Sequence, residues 1–202
     1  MERRRFVLGA GAVMLAGPLA GCMTSKAAPE PAKLEHIGLQ LSTLTPLMVS
    51  DFEGTLRTVA GIGYDQVEFS ALGLLGRDAR MIRDLLAELG LSAPQGRISP
   101  KLPADFFGLP REQQRAVFRD RGRPEHLLEN IEYAIADARV FGQDALILPA
   151  LMPDQFQTLA QVEATIGLFE RAGELCASEG LQFGYHNHNW ELAPIDGVQD
   201  QP

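Results

Sequence analysis

The densest group of side chains capable of chemistry lies in the sequence FGYHNHNWE, residues 183–191. His186 and His188 are two residues apart, so in an extended strand both side chains face the same side. An imidazole serves as a metal ligand or as an acid–base group. Glu191 follows three residues later and can join the two histidines. The pattern predicts a site for a shared metal ion, held by His188 and Glu191, or for ligand hydroxyls, with His186 and His188 as catalytic groups.

Further candidates lie at the ends of other predicted strands. Glu68 ends the second strand, where its carboxylate would act as a base or accept a hydrogen bond from a ligand hydroxyl. Gln40 ends the first strand and is expected to bind ligand, as is Glu191. Trp190 would stack on the flat face of a ligand, although a packing role is equally expected. The alternative for Glu68 is an exposed carboxylate without a functional role. The alternative for the histidines is that one is packed and the other faces solvent.

Apolar periodicity alternates between strand and helix along the chain. An alternating or continuous apolar run predicts a strand, whereas apolar residues at i, i+3 and i+4 predict a helix. We expect strands within 36–41, 66–69, 91–99, 144–149 and 181–186, and helices at 51–60, 78–89, 124–141 and 159–178. Strands separated by helices favour a parallel sheet, either open or closed into a barrel. No GxGxxG or Walker loop follows the first strand, so the dinucleotide and phosphate signals of an open sheet are missing.

The first 22 residues have the pattern of an export signal. Arg3 and Arg4 precede a short apolar run that is too short to span a bilayer comfortably, as in a signal peptide. The pair resembles a twin-arginine signal, and residues 19–22 resemble a lipobox ending at Cys22, the predicted lipidation site. The alternative is a plain secretory signal with an incidental cysteine. We expect an exported lipoprotein anchored to the membrane and facing the periplasm.

Residues 23–33 are rich in Ala and Pro without apolar period, which predicts a flexible tether before a domain at 34–202. The formal net charge is −8, which argues against nucleic acid as a partner. Basic residues are most frequent in 111–123, where interrupting acidic residues predict a solvated face or loop. Cys176 lies in a helical pattern and is predicted to be a small buried hydrophobe, with a reactive thiol as the alternative.

Four segments together resemble sugar phosphate isomerase/epimerase proteins with a xylose isomerase-like TIM barrel. They are residues 37–41, 51–56, 61–69 and 183–191. The resemblance implies a (β/α)8 barrel with a divalent metal (Mn, Mg, Co or Zn) at its carboxyl face. It also implies that the metal polarises a sugar carbonyl while a carboxylate moves a proton on carbon. Strand four ends without the carboxylate that many relatives place there, and strand three carries Gln95 and Arg97 where several relatives have a histidine.

A complete TIM barrel needs about 250 residues, and this chain has 202. We therefore expect a partial barrel of about five parallel strands with alternating helices. Three explanations would account for a partial barrel: a truncated or frameshifted gene product, a half-barrel completed by association, or a partial sequence. Open edges on the first and fifth strands would favour self-association.

The resemblance predicts a sugar or sugar phosphate isomerase/epimerase acting by metal-assisted proton transfer on a carbohydrate. A lyase or hydrolase acting on 3-keto-glycosides is an alternative within the same chemistry. The alternative from another class is a lipid-anchored protein that binds carbohydrate without turnover, or an inactive remnant. A phosphodiester-cleaving enzyme on the same barrel is disfavoured by the acidic charge and the predicted anchor.

Overall fold

The computed structural model describes residues 34–195 of the chain. The predicted signal peptide, lipidated Cys22 and tether lie outside the described residues and stay predictions. The helices and strands, numbered in chain order, are β1 (Gly38–Gln40), α1 (Thr45–Ser50), α2 (Phe52–Ile62), β2 (Gln66–Glu68), α3 (Ala79–Leu89), β3 (Gln95–Arg97), α4 (Arg111–Arg121), α5 (Leu127–Phe141), β4 (Ala145–Leu148), α6 (Leu159–Ser178) and β5 (Gln182–Tyr185).

All strand pairings between these five strands are parallel. β1 pairs with β2, and β3–β4–β5 form a second set in chain order. A bridge between Gln66 and Ser92, together with a hydrogen bond of 2.8 Å from the Val67 N–H to the Ser92 carbonyl, connects β2 to the segment before β3. The predicted α/β fold of parallel strands alternating with helices is confirmed, and it is consistent with part of a TIM barrel.

Two apolar cores hold the helices against the strands. One lies under α2 and α3 and contains fully buried Leu56 and Val67. The other lies under α5 and α6 and contains Ile131 and Cys176, both with no exposed surface. Burial raises the pKa of the Cys176 thiol, which disfavours the reactive thiolate. The prediction that Cys176 is a buried hydrophobe is confirmed.

Helix ends follow the sequence signals. Gly63 and Gly90 take positive φ angles of 111° and 68° where α2 and α3 end, a conformation that favours glycine. Thr158 and Gln161 form a reciprocal capping box at the start of α6. The predicted bounds of α6 agree with the structure. Those of α2 and α3 differ from prediction by one or two residues.

Two helices were not predicted. α1 follows the 3-10 turn at 41–44 that succeeds β1, and α4 occupies part of the region expected to be a solvated face or loop. α4 buries none of its residues, so its sequence lacks the apolar stripe on which helix prediction depends. The solvated part of the prediction agrees with the structure, but the expectation of a loop is wrong because 111–121 is helical. Within the described part of the chain, no helix has the length and apolar character needed to cross a membrane.

Candidate active site

An open cleft of about 800 Å³ lies over the ends of several strands. Its lining contains three of the predicted site residues, Gln40, Glu68 and His186. The other lining residues are Ser42, Gln95, Arg97, Ile147, Tyr185 and Asn187. In a parallel α/β fold the carboxyl ends of the strands carry the ligand site. The cleft is therefore the candidate active site of the described domain.

Glu68 forms the centre of the polar network in the cleft. Arg97 donates from Nη1 to Glu68 Oε1 over 2.6 Å, and Gln95 donates from Nε2 to Oε2 over 2.9 Å. The side chains of Arg97 and Glu68 are only 10% and 13% exposed. Both carboxylate oxygens are thus engaged in hydrogen bonds. The alternative prediction of an exposed Glu68 is wrong.

Strand pleating explains how three side chains of β2 and β3 converge. Gln95 and Arg97 are two residues apart, so both point toward Glu68 while Gly96 points to the opposite side. A Cβ at position 96 would lie 2.3 Å from Gln143 Oε1, and the Gln143 amide donates to the Ala93 carbonyl over 3.1 Å. The absence of a side chain at Gly96 leaves room for this buried amide behind the strand.

Gln40 lies at the end of β1 and is partly engaged by its own turn. Its Oε1 accepts from the Ser42 backbone N–H over 2.9 Å, and its Nε2 donates to the Ser42 hydroxyl over 2.5 Å. This arrangement orders the 3-10 turn that follows β1 and fixes the amide at the edge of the cleft.

His186 and His188 lie just beyond β5 rather than within it. Their ring centroids are 5.0 Å apart, and the His188 ring stacks on Trp190 at 4.2 Å with an angle of 7°. Only His186 of these three residues lines the cleft. His188 Nδ1 is buried without a hydrogen-bond partner among the described residues. The two rings are therefore adjacent but differ in environment, as in the alternative of one packed and one solvent-facing histidine: His186 is exposed at the cleft and His188 packs against Trp190.

Glu191 and Trp190 fasten this histidine segment to the loop after β4. The Tyr185 hydroxyl donates to Glu191 Oε1 and accepts from the Leu151 N–H over 3.2 Å. The Trp190 indole donates to the Leu151 carbonyl over 3.2 Å, and Glu191 Oε2 accepts from the His188 N–H over 2.8 Å. These contacts, here called the latch, tie residues 185–191 to the loop after β4.

The latch shifts the ionisation of two of its members. Burial, followed by the hydrogen bond to Glu191, raises the pKa of Tyr185. Burial also favours a higher pKa for Glu191, but the hydrogen bonds from Tyr185 and from backbone N–H groups outweigh it and lower the pKa of this carboxyl. At neutral pH the latch therefore joins a neutral phenol to a carboxylate.

The lowered pKa predicts that the latch weakens in acid. The carboxylate contributes stability fully above its unfolded pKa of about 4.3 and loses it as the pH falls through the lower folded value. Trp190 is the only tryptophan of the chain, so its fluorescence reports on the latch during an acid titration. Tyr185→Phe removes a hydrogen bond that lowers the Glu191 pKa, and we expect its transition at a higher pH than in the wild type.

Tyr133→Phe is the matched control, because Tyr133 is exposed on α5. Its transition is expected to coincide with that of the wild type. Equal transition midpoints for Tyr185→Phe and the wild type would show that the phenol does not hold the Glu191 carboxylate.

The predicted metal ligands do not assemble a metal site by themselves. Both oxygens of Glu191 accept hydrogen bonds within the latch, one of them from the backbone N–H of His188. Across residues 34–195 no group of three or more His, Cys, Asp or Glu side chains is arranged to hold a metal ion. The described residues therefore do not by themselves form the divalent-metal site that the resemblance implies, and the metal stays a prediction.

Sequence interpretation did not assign Gln95, Arg97, Tyr185 or Asn187 to the site. The alternation of Gln95 and Arg97 around Gly96 on a predicted strand would have placed both on the side of Glu68. No comparable pattern marks Tyr185, whose hydroxyl bonds depend on a turn that brings residue 151 next to residue 185.

The fold has counterparts among solved structures. A sugar phosphate isomerase/epimerase from Parabacteroides distasonis is 19% identical, with a TM-score of 0.60, and the match covers 88% of this chain and 60% of that one. An AP endonuclease of family 2 from Brucella melitensis is 19% identical with a TM-score of 0.48, covering 66% and 48% of the two chains. An L-ribulose 3-epimerase is 21% identical with a TM-score of 0.47, covering 74% and 48%.

The first of these matches confirms the predicted resemblance at the level of the fold. The chain spans about three fifths of the length of the Parabacteroides protein. No protein-family model and no curated protein sequence matches the chain. The class defined by fold and site is an α/β domain of parallel strands alternating with helices, similar in fold to part of the Parabacteroides protein, with a polar cleft at the ends of its strands.

Proposed function

We propose that this chain binds a carbohydrate in the cleft and belongs to an enzyme of the sugar isomerase/epimerase type. The observation that carries the proposal is the convergence of Gln40, Glu68, Arg97 and His186 in one cleft. Sugars are recognised by side chains that donate to or accept from several hydroxyls at once. The lining of this cleft supplies a carboxylate, a guanidinium, amides and an imidazole.

Each group has a chemical role in this proposal. The carboxylate of Glu68 accepts a hydrogen bond from a sugar hydroxyl, and Arg97 donates to the neighbouring oxygen. As a proton leaves carbon, negative charge develops on the carbonyl oxygen, and a fixed guanidinium stabilises that charge. His186 transfers a proton to or from the sugar as the acid–base group. The latch holds His186 at the edge of the cleft.

The implied divalent metal would polarise the sugar carbonyl when bound. Because residues 34–195 provide no three-ligand set, its ligands would have to include groups outside that range. The steps proposed for Glu68, Arg97 and His186 concern their own protons and hydrogen bonds and do not require a metal-bound intermediate.

Proton exchange on carbon tests the proposal directly. The full chain is incubated in D2O with a panel of ketoses, aldoses and 3-keto-glycosides, with and without Mn²⁺, Mg²⁺, Co²⁺ or Zn²⁺, and proton NMR follows loss of carbon-bound protons. We expect exchange with at least one sugar. Glu68→Gln keeps the shape but removes the charge, and we expect about tenfold weaker sugar binding with slower exchange.

His126 provides a matched control for His186, since it lies at the start of α5, away from the cleft lining. His186→Gln is expected to slow exchange, whereas His126→Gln is expected to leave it unchanged. Exchange that is insensitive to Glu68→Gln and His186→Gln would place the chemistry elsewhere in the molecule.

One observation favours a second candidate, a carbohydrate-binding protein without turnover. Both oxygens of Glu68, the one carboxylate in the lining of the cleft, are engaged by Arg97 and Gln95, so no lining carboxylate is free to remove a proton from carbon and turnover would depend on His186 alone. Under this hypothesis sugars bind saturably without exchange of carbon-bound protons, with or without metal. Calorimetry in parallel with NMR distinguishes the two candidates.

A further inference from the structure

A second, larger cavity of about 890 Å³ lies beside α4. We call it the α4 cavity. One helix face of α4 lines it, including Arg111, Arg115 and Arg119, which follow one another at intervals of four residues. Successive arginines are therefore about 6 Å apart along the helix axis. The cavity shares no lining residue with the candidate active-site cleft.

The charge of this cavity contrasts with that of the protein. The chain has a formal net charge of −8, yet no Asp or Glu lines the α4 cavity. Glu112 and Asp120, which interrupt the basic segment in the sequence, belong to the part of α4 that does not line it. Within 34–195, Arg111, Arg115 and Arg119 form no ion pair with a carboxylate. The acidic side chains of α4 thus lie away from the cavity. The face that lines the cavity carries Arg111, Arg115 and Arg119, here called the arginine row.

The remaining wall of the cavity is mostly apolar. Ile98, Leu148 and Leu151 are buried residues of this wall. Ile98 and Leu148 directly follow Arg97 and Ile147 of the active-site cleft, and Leu151 lies in the loop after β4. The aromatic rings of Phe107 and Phe118 also line the cavity. Phe107 is 39% exposed, so part of its ring is accessible to a ligand in the cavity.

We propose that the α4 cavity binds a small aromatic carboxylate, with its ring on the apolar wall and its carboxylate at the arginine row. A guanidinium bonds a carboxylate through two parallel N–H groups and also stacks on an aromatic face. Cavities of about 300–1,000 Å³ lined by apolar residues with a few polar groups are typical of small-molecule sites. The proposal does not depend on the proposed sugar chemistry, because the two cavities have different walls.

Calorimetry with 2-naphthoate and the full 202-residue chain tests this site. The probe carries one planar apolar body and one carboxylate. We expect saturable 1:1 binding that weakens as salt is added, since exposed charges are screened. The double variant R115Q/R119Q is expected to bind at least about tenfold more weakly. Arg121 lies on the same helix without lining the cavity, so R121Q removes an equal charge type and is expected to stay within about twofold of the wild type.

Two ligand controls separate the charge from the ring. The neutral analogue 2-naphthalenemethanol is expected to bind at least about tenfold more weakly, and acetate is expected to show no saturable binding. Ala150 lines the cavity beside Leu151, and Ala150→Phe is expected to abolish naphthoate binding by filling the space. Circular dichroism establishes that each variant is folded.

Three results would overturn the proposal. The first is the absence of saturable naphthoate binding to the wild type. The second is an equal affinity of wild type and R115Q/R119Q, which would mean that the arginine row does not bind the carboxylate, or an equal loss in R121Q, which would mean that net charge alone attracts the probe. The third is an affinity for 2-naphthalenemethanol equal to that for naphthoate, which would mean that the charge has no part in recognition, or an equal affinity for acetate, which would mean that the ring has none.

Discussion

Replacing Arg97 with Met is expected to lower the free energy of unfolding by about 3 kcal/mol. The variant keeps an unbranched apolar stem but removes the guanidinium that donates to Glu68 over 2.6 Å. Glu68 would then be a carboxylate that is 13% exposed with only the Gln95 amide to stabilise it. Removing one partner of a buried ion pair is costly because the other charge stays desolvated. Urea unfolding followed by circular dichroism measures the change.

Arg83→Met is the matched control for burial. Arg83 also donates to a carboxylate over 2.6 Å, that of Asp84, but the two side chains are 47% and 68% exposed. An exposed pair of this kind contributes less than about 1 kcal/mol. The double variant Glu68→Gln/Arg97→Met removes the stranded charge, so it is expected to be more stable than Arg97→Met alone. If Arg97→Met costs no more than Arg83→Met, burial does not set the strength of the pair.

The cost expected for Arg97→Met bears on the proposed function. A desolvated ion pair is weak evidence for a stability role, because apolar residues of equal volume often stabilise as well. Arg97 Nε is also buried without a hydrogen-bond partner among the described residues. Buried unsatisfied groups in an open cleft are more readily explained by a ligand-binding role than by folding. This is why Glu68 and Arg97 together form the centre of the proposed sugar site.

The strands and the long helices were predictable because local patterns determine them. β4 is a continuous apolar run, and α6 combines an apolar stripe with a capping box at Thr158. The alternation of five strands with helices could therefore be predicted before any contact was known. α4 could not, because it buries no residue and is held in place through other segments of the chain.

The candidate site was predicted in part for the same reason. Glu68 and His186 lie at strand ends, so the rule for parallel sheets located them. The partners of these residues depend on register, since Arg97 and Glu68 are 29 residues apart in sequence. The latch depends on a contact between residues 151 and 190, which no local pattern encodes. Side chains with obvious chemistry were thus found, but the hydrogen bonds that decide their roles were not.

Asn130→Ala is expected to destabilise the protein by about 2–3 kcal/mol. Asn130 is 4% exposed and connects three segments of the chain. Its Oδ1 accepts from the Lys101 N–H over 2.8 Å, and its Nδ2 donates to the Arg121 carbonyl over 2.9 Å. Alanine leaves both backbone groups without this partner. Glu132→Ala on the exposed side of the same helix is the control, and it is expected to change stability by less than about 0.5 kcal/mol.

Asn130→Ala is also expected to lower the local stability of α4 more than that of the rest of the fold. α4 buries none of its residues, so few apolar contacts replace the lost bond between Asn130 and the Arg121 carbonyl at its end. Local stability is lowest where buried apolar contacts are fewest. Hydrogen exchange should therefore accelerate in α4 before it does in α6, whose buried residues include Ala172 and Cys176. Uniform acceleration across both helices would mean that Asn130 stabilises the core as a whole and does not specifically hold α4 beside its cavity.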